Sequence, residues 1–409
     1  MKIFIYISSV LLILFAFSAC EDYVQDVDPM IDQVQDERLN DEGQLNFLLK
    51  GVKHRFGTIT DDMSFLSGGL SDELYYDNTA PGASYPTLQE IDLAEDITRD
   101  NNSVDNFYTP LGELRFFADD LVRRASQIGG GAAYEEALFT GYLYGGMARY
   151  YYATVFGLTQ NQGGGIVDGG PFVNSDDMYD LALERLQSAL EHTDFTNSSV
   201  ANADIGDQVR AEKVVHSIMA RIYLFKGDVA NAATHAALGL KEGDEPFQAL
   251  FNDIATNTWY YFAGQRNQYV VDDRFAAYVT ADANEANRLQ LVWIDSTWWQ
   301  QNRYVSAGSP INVMTWQENE LMLAELELTS DNPGALARVN AVRASHGIGN
   351  LAALDLNALI AERDKELWST GIRLPDQRRF DIWHLAPGTW HFLPITQNEI
   401  NGNSNVDAP

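Results

Sequence analysis

The feature that most constrains the fold of this chain is a helical period of apolar residues that recurs over much of its 409 residues. Leu45, Leu49 and Phe56 illustrate it, because residues three or four positions apart lie on one face of an α-helix. The same period continues through 111–128 and 134–156. No long stretch alternates apolar and polar residues as a sustained strand would. The pattern therefore predicts an all-α protein with long loops and few short strands.

Small residues between about 207 and 241 indicate how the helices are arranged. They recur at the spacing of a helix pair, with Gly227 in the turn, and resemble one tetratricopeptide repeat. In such repeats, small residues let paired helices approach closely. A second pair is predicted at 318–328 and 333–344. We therefore expect tetratricopeptide-like helix pairs that form a right-handed superhelical scaffold.

The N-terminus carries the pattern of a secretory signal. Lys2 precedes an apolar run over residues 3–19, which is slightly shorter than the ~20 residues that a membrane-spanning helix needs. The run ends in Phe-Ser-Ala-Cys, which resembles the lipobox of bacterial lipoproteins with Phe in place of the usual Leu. We expect residues 1–19 to be a lipoprotein signal peptide and Cys20 to be the lipid attachment point. An uncleaved anchor, or an ordinary secretory signal beside an incidental cysteine, remains open.

Charge and cysteine content exclude several function classes. The chain has 27 Lys and Arg against 58 Asp and Glu, a formal net charge of -31. Nucleic-acid binding is excluded on this ground, because phosphates require a basic face. A single cysteine excludes a disulfide framework and a multi-cysteine metal site within one chain. The acidic segment 20–40 is expected to be an exposed tether, similar to the surface-export signal of Bacteroidetes lipoproteins, although acidic solvation is an alternative.

Familiar catalytic and metal-binding patterns do not occur in the sequence. It has no nucleophile elbow, zinc-protease helix or phosphate loop, and the glycine-rich segment 163–170 is expected to be a flexible connection. His216 and His235 are expected to be packing or surface residues. Carboxylate pairs such as Asp61 and Asp62 suit a glycosidase, but a chain with 58 acidic residues contains such pairs by chance. We therefore expect a non-enzyme without cofactor or metal.

Aromatic residues concentrate in one segment. Eleven of the 46 residues from Trp259 to Tyr304 are aromatic, which is about twice the 11% share in the whole chain. Planar amides and arginines accompany them. Aromatic faces beside such groups suit sugar rings, although burial in the core is the commoner fate of any single aromatic. The loop 72–78 is a second candidate. The predicted ligand-binding residues are Tyr75, Tyr76, Asp77, Asn78, Trp259, Tyr269, Trp298, Trp299, Gln300 and Arg303.

Four segments in chain order carry a family resemblance. Residues 149–157 form an aromatic helix that ends in Phe-Gly, 362–367 read ERDKEL, 371–379 read GIRLPDQRR, and 393–400 read LPITQNEI. Together they resemble the SusD/RagB family of outer-membrane nutrient-binding lipoproteins. Thr396 stands where the family pattern has a second proline. The resemblance covers nearly the whole chain after the signal.

The resemblance implies a non-catalytic lipoprotein at the surface of the outer membrane. Such a protein captures oligosaccharides and delivers them to a SusC-like TonB-dependent transporter. Binding of peptides or other nutrients, a secreted glycoside hydrolase and a pure protein scaffold are the alternatives. In the motifs, Glu362, Arg363, Arg378 and Arg379 are expected to form buried or partly buried ion pairs that lock the last helices.

These expectations divide the chain after residue 40 into two parts. Residues 41–250 are expected to form an N-terminal helical part that includes the tetratricopeptide-like repeat. Residues 251–409 are expected to combine the loop-rich aromatic segment with a C-terminal helical part. Short hairpins are expected near 266–280 and 288–294.

Overall fold

The computed structural model describes residues 36–194 and 208–406. The predicted signal peptide, the lipidation site at Cys20 and most of the predicted tether lie outside the described residues. Helices dominate the described parts, as the apolar period predicts. The helices of seven or more residues are α1 (Leu45–Leu70), α2 (Pro86–Leu93), α3 (Asn102–Ile128), α4 (Tyr134–Val155), α5 (Ser175–Leu190), α6 (Gln208–Lys226), α7 (Val229–Leu238), α8 (Asp273–Ala281), α9 (Trp316–Glu327), α10 (Asn332–Ser345), α11 (Leu356–Glu366) and α12 (Arg373–Arg379).

Ten short strands join these helices. They are β1 (Leu74–Tyr75), β2 (Phe156–Thr159), β3 (Gln162–Ile166), β4 (Phe172–Asn174), β5 (Phe247–Ala249), β6 (Val270–Val271), β7 (Leu291–Ile294), β8 (Trp298–Gln301), β9 (Ile311–Met314) and β10 (Leu393–Pro394). Their sheets have the orders β1-β6-β8-β7, β10-β2-β3-β4 and β5-β9. In the first sheet all pairs are antiparallel, whereas β10 runs parallel to β2. Across 36–194 and 208–406, no helix has both the length and the apolar character that a membrane span requires.

Helix α4 is buried on nearly all sides, and its small residues explain why. A Cβ atom on Gly141 would lie 2.8 Å from the Ala118 carbonyl oxygen of α3. A Cβ atom on Gly146 would lie 3.2 Å from the Ala182 carbonyl oxygen of α5. The backbones of the flanking helices can approach α4 only because these positions lack side chains.

The predicted helix pairs are present as α6–α7 and α9–α10. Gly227 forms the first turn in the left-handed region at φ 75°, and the Asp228 carboxylate accepts a hydrogen bond from the Asn231 N–H at the start of α7. Asp331 caps α10 in the same way, and Pro333 lies in its first turn. The tetratricopeptide-like arrangement is thus confirmed, together with the all-α class.

Two local predictions differ from the structure. The glycine-rich segment is not a flexible connection, because its first residues form β3. A Cβ atom on Gly165 would lie 2.7 Å from the Tyr152 ring, so that glycine provides close packing. Segment 266–280 contains β6 and α8 and is not a hairpin.

The predicted ion pairs of the C-terminal motifs form, with one exception. Glu362 binds Arg288 at 2.6 Å in a buried cluster, and Arg363 binds Asp376 at 2.8 Å. Arg379 also binds Asp376, at 2.7 Å. The Arg363–Asp376 pair joins α11 to α12, and in all three pairs a buried or partly buried cation faces a carboxylate.

Arg378 is the exception, and its predicted ion pair is wrong. Its guanidinium donates hydrogen bonds to two backbone carbonyl oxygens, those of Thr154 at 2.5 Å and His391 at 2.7 Å. Consecutive residues of a short helix point in different directions, so Arg378 and Arg379 meet different neighbours. Arg378 therefore crosslinks the end of α4 to the chain before β10.

Candidate functional site

Most of the predicted ligand-binding residues lie in or next to the four-stranded sheet β1-β6-β8-β7. Strands β7 and β8 form a hairpin over 291–301, close to the hairpin expected near 288–294. Its turn contains Asp295 and Ser296, both at positive φ. Because side chains alternate between the two faces of a strand, Trp298 and Trp299 point to opposite sides. The predicted residues therefore do not form a single site.

One face of the sheet is closed by the loop after β1. Trp298 is only 4% exposed and packs with Val270 and Ala80, and Tyr75 packs against this small cluster. Gln300 lies on the same face as Trp298, two residues further along β8. Trp298 is therefore not available for stacking on a ligand.

The other face carries a pair of tryptophans, one of which is exposed. Trp293 on β7 lies directly opposite Trp299 on β8. Their ring centroids are 4.9 Å apart and their planes are inclined by 51°. Trp293 is 43% exposed, and Trp299 is half-buried against the main core. We call Trp293 and Trp299 the hairpin tryptophans; their rings adjoin, and Trp293 is the more exposed of the two.

Trp259 and Tyr269 are core residues, which overturns their assignment to a ligand site. Both are 0% exposed, and both rings pack on Phe65. The Trp259 indole N–H donates to the Ser64 hydroxyl at 2.8 Å, and the Tyr269 hydroxyl donates to the Leu88 carbonyl oxygen at 2.7 Å. Their polar atoms are satisfied inside the protein, so their burial carries no polar penalty.

The loop after β1 has local structural roles at two of its predicted positions. The Tyr76 backbone N–H donates to the Asp92 carboxylate at 3.2 Å, and the ring packs on the core. The Asp77 carboxylate accepts the N–H and the hydroxyl of Thr79, both at 2.7 Å, which fixes a turn. Asn78 is exposed at the tip of this turn.

Arg303 connects the hairpin to the C-terminal helices. Its guanidinium donates to the Trp368 carbonyl oxygen at 2.8 Å, just after α11. The side chain is half-buried, and burial of the stem leaves part of the guanidinium facing outward. Arg303 thus holds the end of β8 in place.

A second exposed aromatic cluster was missed by the sequence reasoning. The Arg266 guanidinium lies 5.5 Å from the Tyr85 ring centroid and 5.6 Å from that of Tyr261, which is 41% exposed. The buried Gln268 side chain holds this loop by accepting the N–H groups of Ser84 and Tyr85. The cluster therefore sits on a fixed backbone.

The sequence did contain signals for the exposure of Tyr261 and for the pairing of Trp293 with Trp299. Tyr261 follows Trp259 by two residues, which in a helix turns it about 200° away, so burial of one implies exposure of the other. Trp293 and Trp299 are equally distant from Ser296 in the turn, so a hairpin places them opposite each other. Neither signal can be used before the burial of Trp259 and the exact turn are known.

The electrostatic surroundings of the sheet are acidic. Burial raises the pKa of Tyr75 to about 12, and the neighbouring Asp273 and Asp77 carboxylates add to this shift. Burial also raises the pKa of Asp92 to about 6. Within the described residues, no three His, Cys, Asp or Glu side chains are placed to hold a metal ion. The arrangement suits an uncharged ligand that stacks on aromatic rings.

Comparisons with known proteins bear on the fold. No family profile matches the chain, and no curated protein matches it either. Among solved structures, the chain is similar to a SusD-like carbohydrate binding protein from Bacteroides vulgatus, at 14% identity and a TM-score of 0.69, covering 90% of this chain and 97% of that one.

Two further solved structures are similar over comparable lengths. Surface glycan-binding protein A from Bacteroides uniformis has 12% identity and a TM-score of 0.68, covering 90% of this chain and 98% of that one. A laminarin binding SusD-like protein has 12% identity and a TM-score of 0.65, covering 88% and 98%. These matches confirm the resemblance inferred from the C-terminal motifs at the level of the fold. The protein therefore has the SusD-like fold.

Proposed function

We propose that this protein is a cell-surface lipoprotein that captures oligosaccharides without catalysis and delivers them to a SusC-like TonB-dependent outer-membrane transporter. The observation that carries the proposal is the adjoining pair of hairpin tryptophans, of which Trp293 is 43% exposed, on a SusD-like fold. The three similar proteins are named for carbohydrate, glycan or laminarin binding. We propose the same class of ligand for this chain.

The geometry of the hairpin tryptophans fits a sugar chain. Two ring faces inclined by 51° can each cover the C–H face of one pyranose, so they suit consecutive residues of a twisted oligosaccharide. The side-chain amide of Gln300 lies on the other face of β8, so it is not a partner of these rings. The helical part over 41–250 then acts as the scaffold, and the part from 251 onward carries the site.

The charge of the protein favours neutral glycans. The formal net charge is -31, and carboxylates surround the sheet near Tyr75. A polyanionic glycan would be repelled at long range by this field. We therefore propose neutral oligosaccharides as the ligands of the hairpin tryptophans.

Anchoring is proposed through Cys20. Fifteen residues lie between Cys20 and Asp36, and the sixteen steps from one Cα atom to the next span at most about 55 Å when extended. Such a reach would let the domain cover a transporter embedded in the same membrane. Lipid labelling should be lost in Cys20→Ser, and labelling that persists in this variant would exclude the anchor.

Titration calorimetry with a panel of neutral oligosaccharides tests the ligand class. We expect at least one oligosaccharide to bind wild type, to be recovered unchanged after incubation, and to bind more weakly to Trp299→Ala. Phe116→Ala is the matched control, because Phe116 is an exposed aromatic on α3, outside the sheet. Equal loss in the control, or cleavage of the sugar, would contradict the proposal. Binding of peptides alone would favour the nutrient alternative.

A further inference from the structure

A cavity lies apart from the hairpin tryptophans. It has a volume of about 330 Å³, which is at the lower end of the ~300–1,000 Å³ typical of small-molecule sites. The start of α5, the end of α6, α12 and the segment before β10 surround it. It shares no lining residue with the sheet that carries the hairpin tryptophans. The residues that matter for its chemistry are Ser175, Tyr179, Phe225, Arg378, His391 and Phe392.

Arg378 gives this cavity its chemical character. Its guanidinium lies 4.2 Å from the Phe392 ring centroid and donates to the carbonyl oxygens of Thr154 and His391. No carboxylate forms an ion pair with Arg378 anywhere in the described parts of the chain, although the protein has 58 acidic residues. Two dipolar carbonyl groups and an aromatic face solvate the cation only in part.

The neighbouring Arg379 lies on the same helix, but carboxylates compensate its charge. Burial opposes the charge of Arg379, but the Asp376 and Glu325 carboxylates outweigh it and raise its pKa above the ordinary value. For Arg378, burial lowers the pKa, and no ion pair with a carboxylate offsets this effect. The difference concerns only the partners, since the two side chains are identical. The charge of Arg379 is compensated by carboxylates of the protein, whereas Arg378 has no carboxylate in an ion pair.

The unused donors of Arg378 fit a carboxylate. A guanidinium has five N–H groups in one plane, and two of them are used here, so three remain. Such a planar fork matches the two oxygens of a carboxylate better than it matches a neutral hydroxyl. Burial lowers the pKa of His391, and the charge of Arg378 adds to this shift, so His391 is neutral near pH 7. His391 can therefore hydrogen-bond a ligand without a charge of its own.

We propose that this cavity binds a small organic carboxylate, with the carboxylate on the Arg378 guanidinium and the apolar part of the ligand beside Phe225 and Tyr179. A monosaccharide acid matches both features, because it combines a carboxylate with a ring of suitable size. The exposed side chain of Asp176 lies on the rim and opposes the approach of an anion. This site is independent of the proposed oligosaccharide site.

Titration of the full mature chain with glucuronate, and with glucose as the neutral match, tests the proposal. We expect glucuronate to bind and glucose to bind at least tenfold more weakly. Arg378→Gln should lose roughly tenfold or more of the glucuronate affinity, because a charge-assisted pair is removed. Asp176→Asn should increase the affinity about twofold to threefold, because a like charge leaves the rim. Trp293→Ala should leave the affinity for glucuronate unchanged.

Three results would overturn the proposal. The first is equal binding of glucose and glucuronate, and the second is an unchanged glucuronate affinity in a folded Arg378→Gln variant. Should Arg378→Gln fail to fold, Asp176→Asn decides the matter, because its side chain is exposed and the variant is expected to fold. An unchanged glucuronate affinity in Asp176→Asn is the third result that would overturn the proposal. A failure here leaves oligosaccharide binding at the hairpin tryptophans untouched, because Trp293→Ala reports on that site alone.

Discussion

Aromatic residues of the segment 259–304 belong to two groups that differ in exposure to solvent. The first, which we call the buried aromatic cluster, consists of Phe65, Trp259, Tyr269, Phe275 and Trp368, and all of these side chains are enclosed. The second consists of the hairpin tryptophans, of which Trp293 is 43% exposed. Density of aromatic residues therefore does not identify a ligand site. What separates the two groups is whether other elements of the fold cover the rings.

The largest effect is expected from opening the buried aromatic cluster. Trp259→Ala removes a ring that is 0% exposed and contacts both Phe65 and Trp368, so the free energy of unfolding should fall by about 3–5 kcal/mol. Chemical denaturation measures this. Trp293→Ala is the matched control and should lose less stability than Trp259→Ala, because Trp293 is already 43% exposed in the folded protein. Similar losses in the two variants would contradict the division into two groups.

The pH dependence of stability comes next, because a buried carboxyl borders the same cluster. A Cβ atom on Gly68 would touch both the Trp259 ring and the Glu73 carboxylate, which places these two side chains together. Burial raises the pKa of Glu73 to about 8 from its ordinary 4.5, with a smaller contribution from Asp364. The folded state therefore holds the proton more tightly than the unfolded state. Stability from this group is full below pH 4.5 and is lost as the pH rises through about 8.

Glu73→Gln should remove this dependence. Between pH 4 and pH 9, wild type should lose roughly 1–3 kcal/mol more stability than the variant, since one pKa unit corresponds to about 1.4 kcal/mol. Urea denaturation at several pH values measures the difference. Asp61, whose burial raises its pKa to about 7, contributes equally to both proteins and cancels in the comparison. Parallel stability curves for the two proteins would show that Glu73 ionises normally.

A smaller effect is expected for single changes in the hairpin tryptophans. Trp293→Ala and Trp299→Ala should each weaken oligosaccharide binding about tenfold, because the loss of one aromatic stacking contact costs roughly 0.5–1.5 kcal/mol beyond the lost contact area. Calorimetry with an oligosaccharide that binds wild type measures this. Trp298→Ala should instead reduce stability, since Trp298 is enclosed on the opposite face. A variant of Trp298 that lost affinity while keeping its stability would reverse this assignment of faces.

The smallest effect is expected for Gln300→Ala. The Gln300 amide lies on the face of β8 that Trp299 does not share, so the affinity for the oligosaccharide should change by less than twofold. A tenfold loss in Gln300→Ala would mean that the ligand wraps the edge of the hairpin and contacts both faces. The same calorimetric titration distinguishes the two results.

The helices could be predicted from the sequence because their information is local. The period of Leu45, Leu49 and Phe56 fixes a helix without knowledge of any partner, and the turn at Gly227 needs only the chain beside it. The burial of Trp259 could not be predicted in the same way. Its ring is covered by Phe65 and Trp368, which are distant in sequence, so only the tertiary fold decides its exposure.

The sheet that carries the candidate site shows the same limit. Its strands β1 and β6 are two residues long, too short for an alternating pattern, and they pair across nearly 200 residues of sequence. The motif arginines illustrate a further limit. The sequence correctly predicted ion pairs for Arg363 and Arg379, but not that Arg378 would line a cavity and lack an ion-pair partner. A sequence motif identifies these residues, but the tertiary fold determines which partners they contact.

We propose above that the hairpin tryptophans form the oligosaccharide site. The most direct measurement is calorimetric titration of wild type and of the double variant Trp293→Ala/Trp299→Ala with the same neutral oligosaccharide, after circular dichroism shows equal folding. We expect the double variant to lose at least tenfold of the affinity while its thermal unfolding stays within a few degrees of wild type. An unchanged affinity in the folded double variant would contradict the claim.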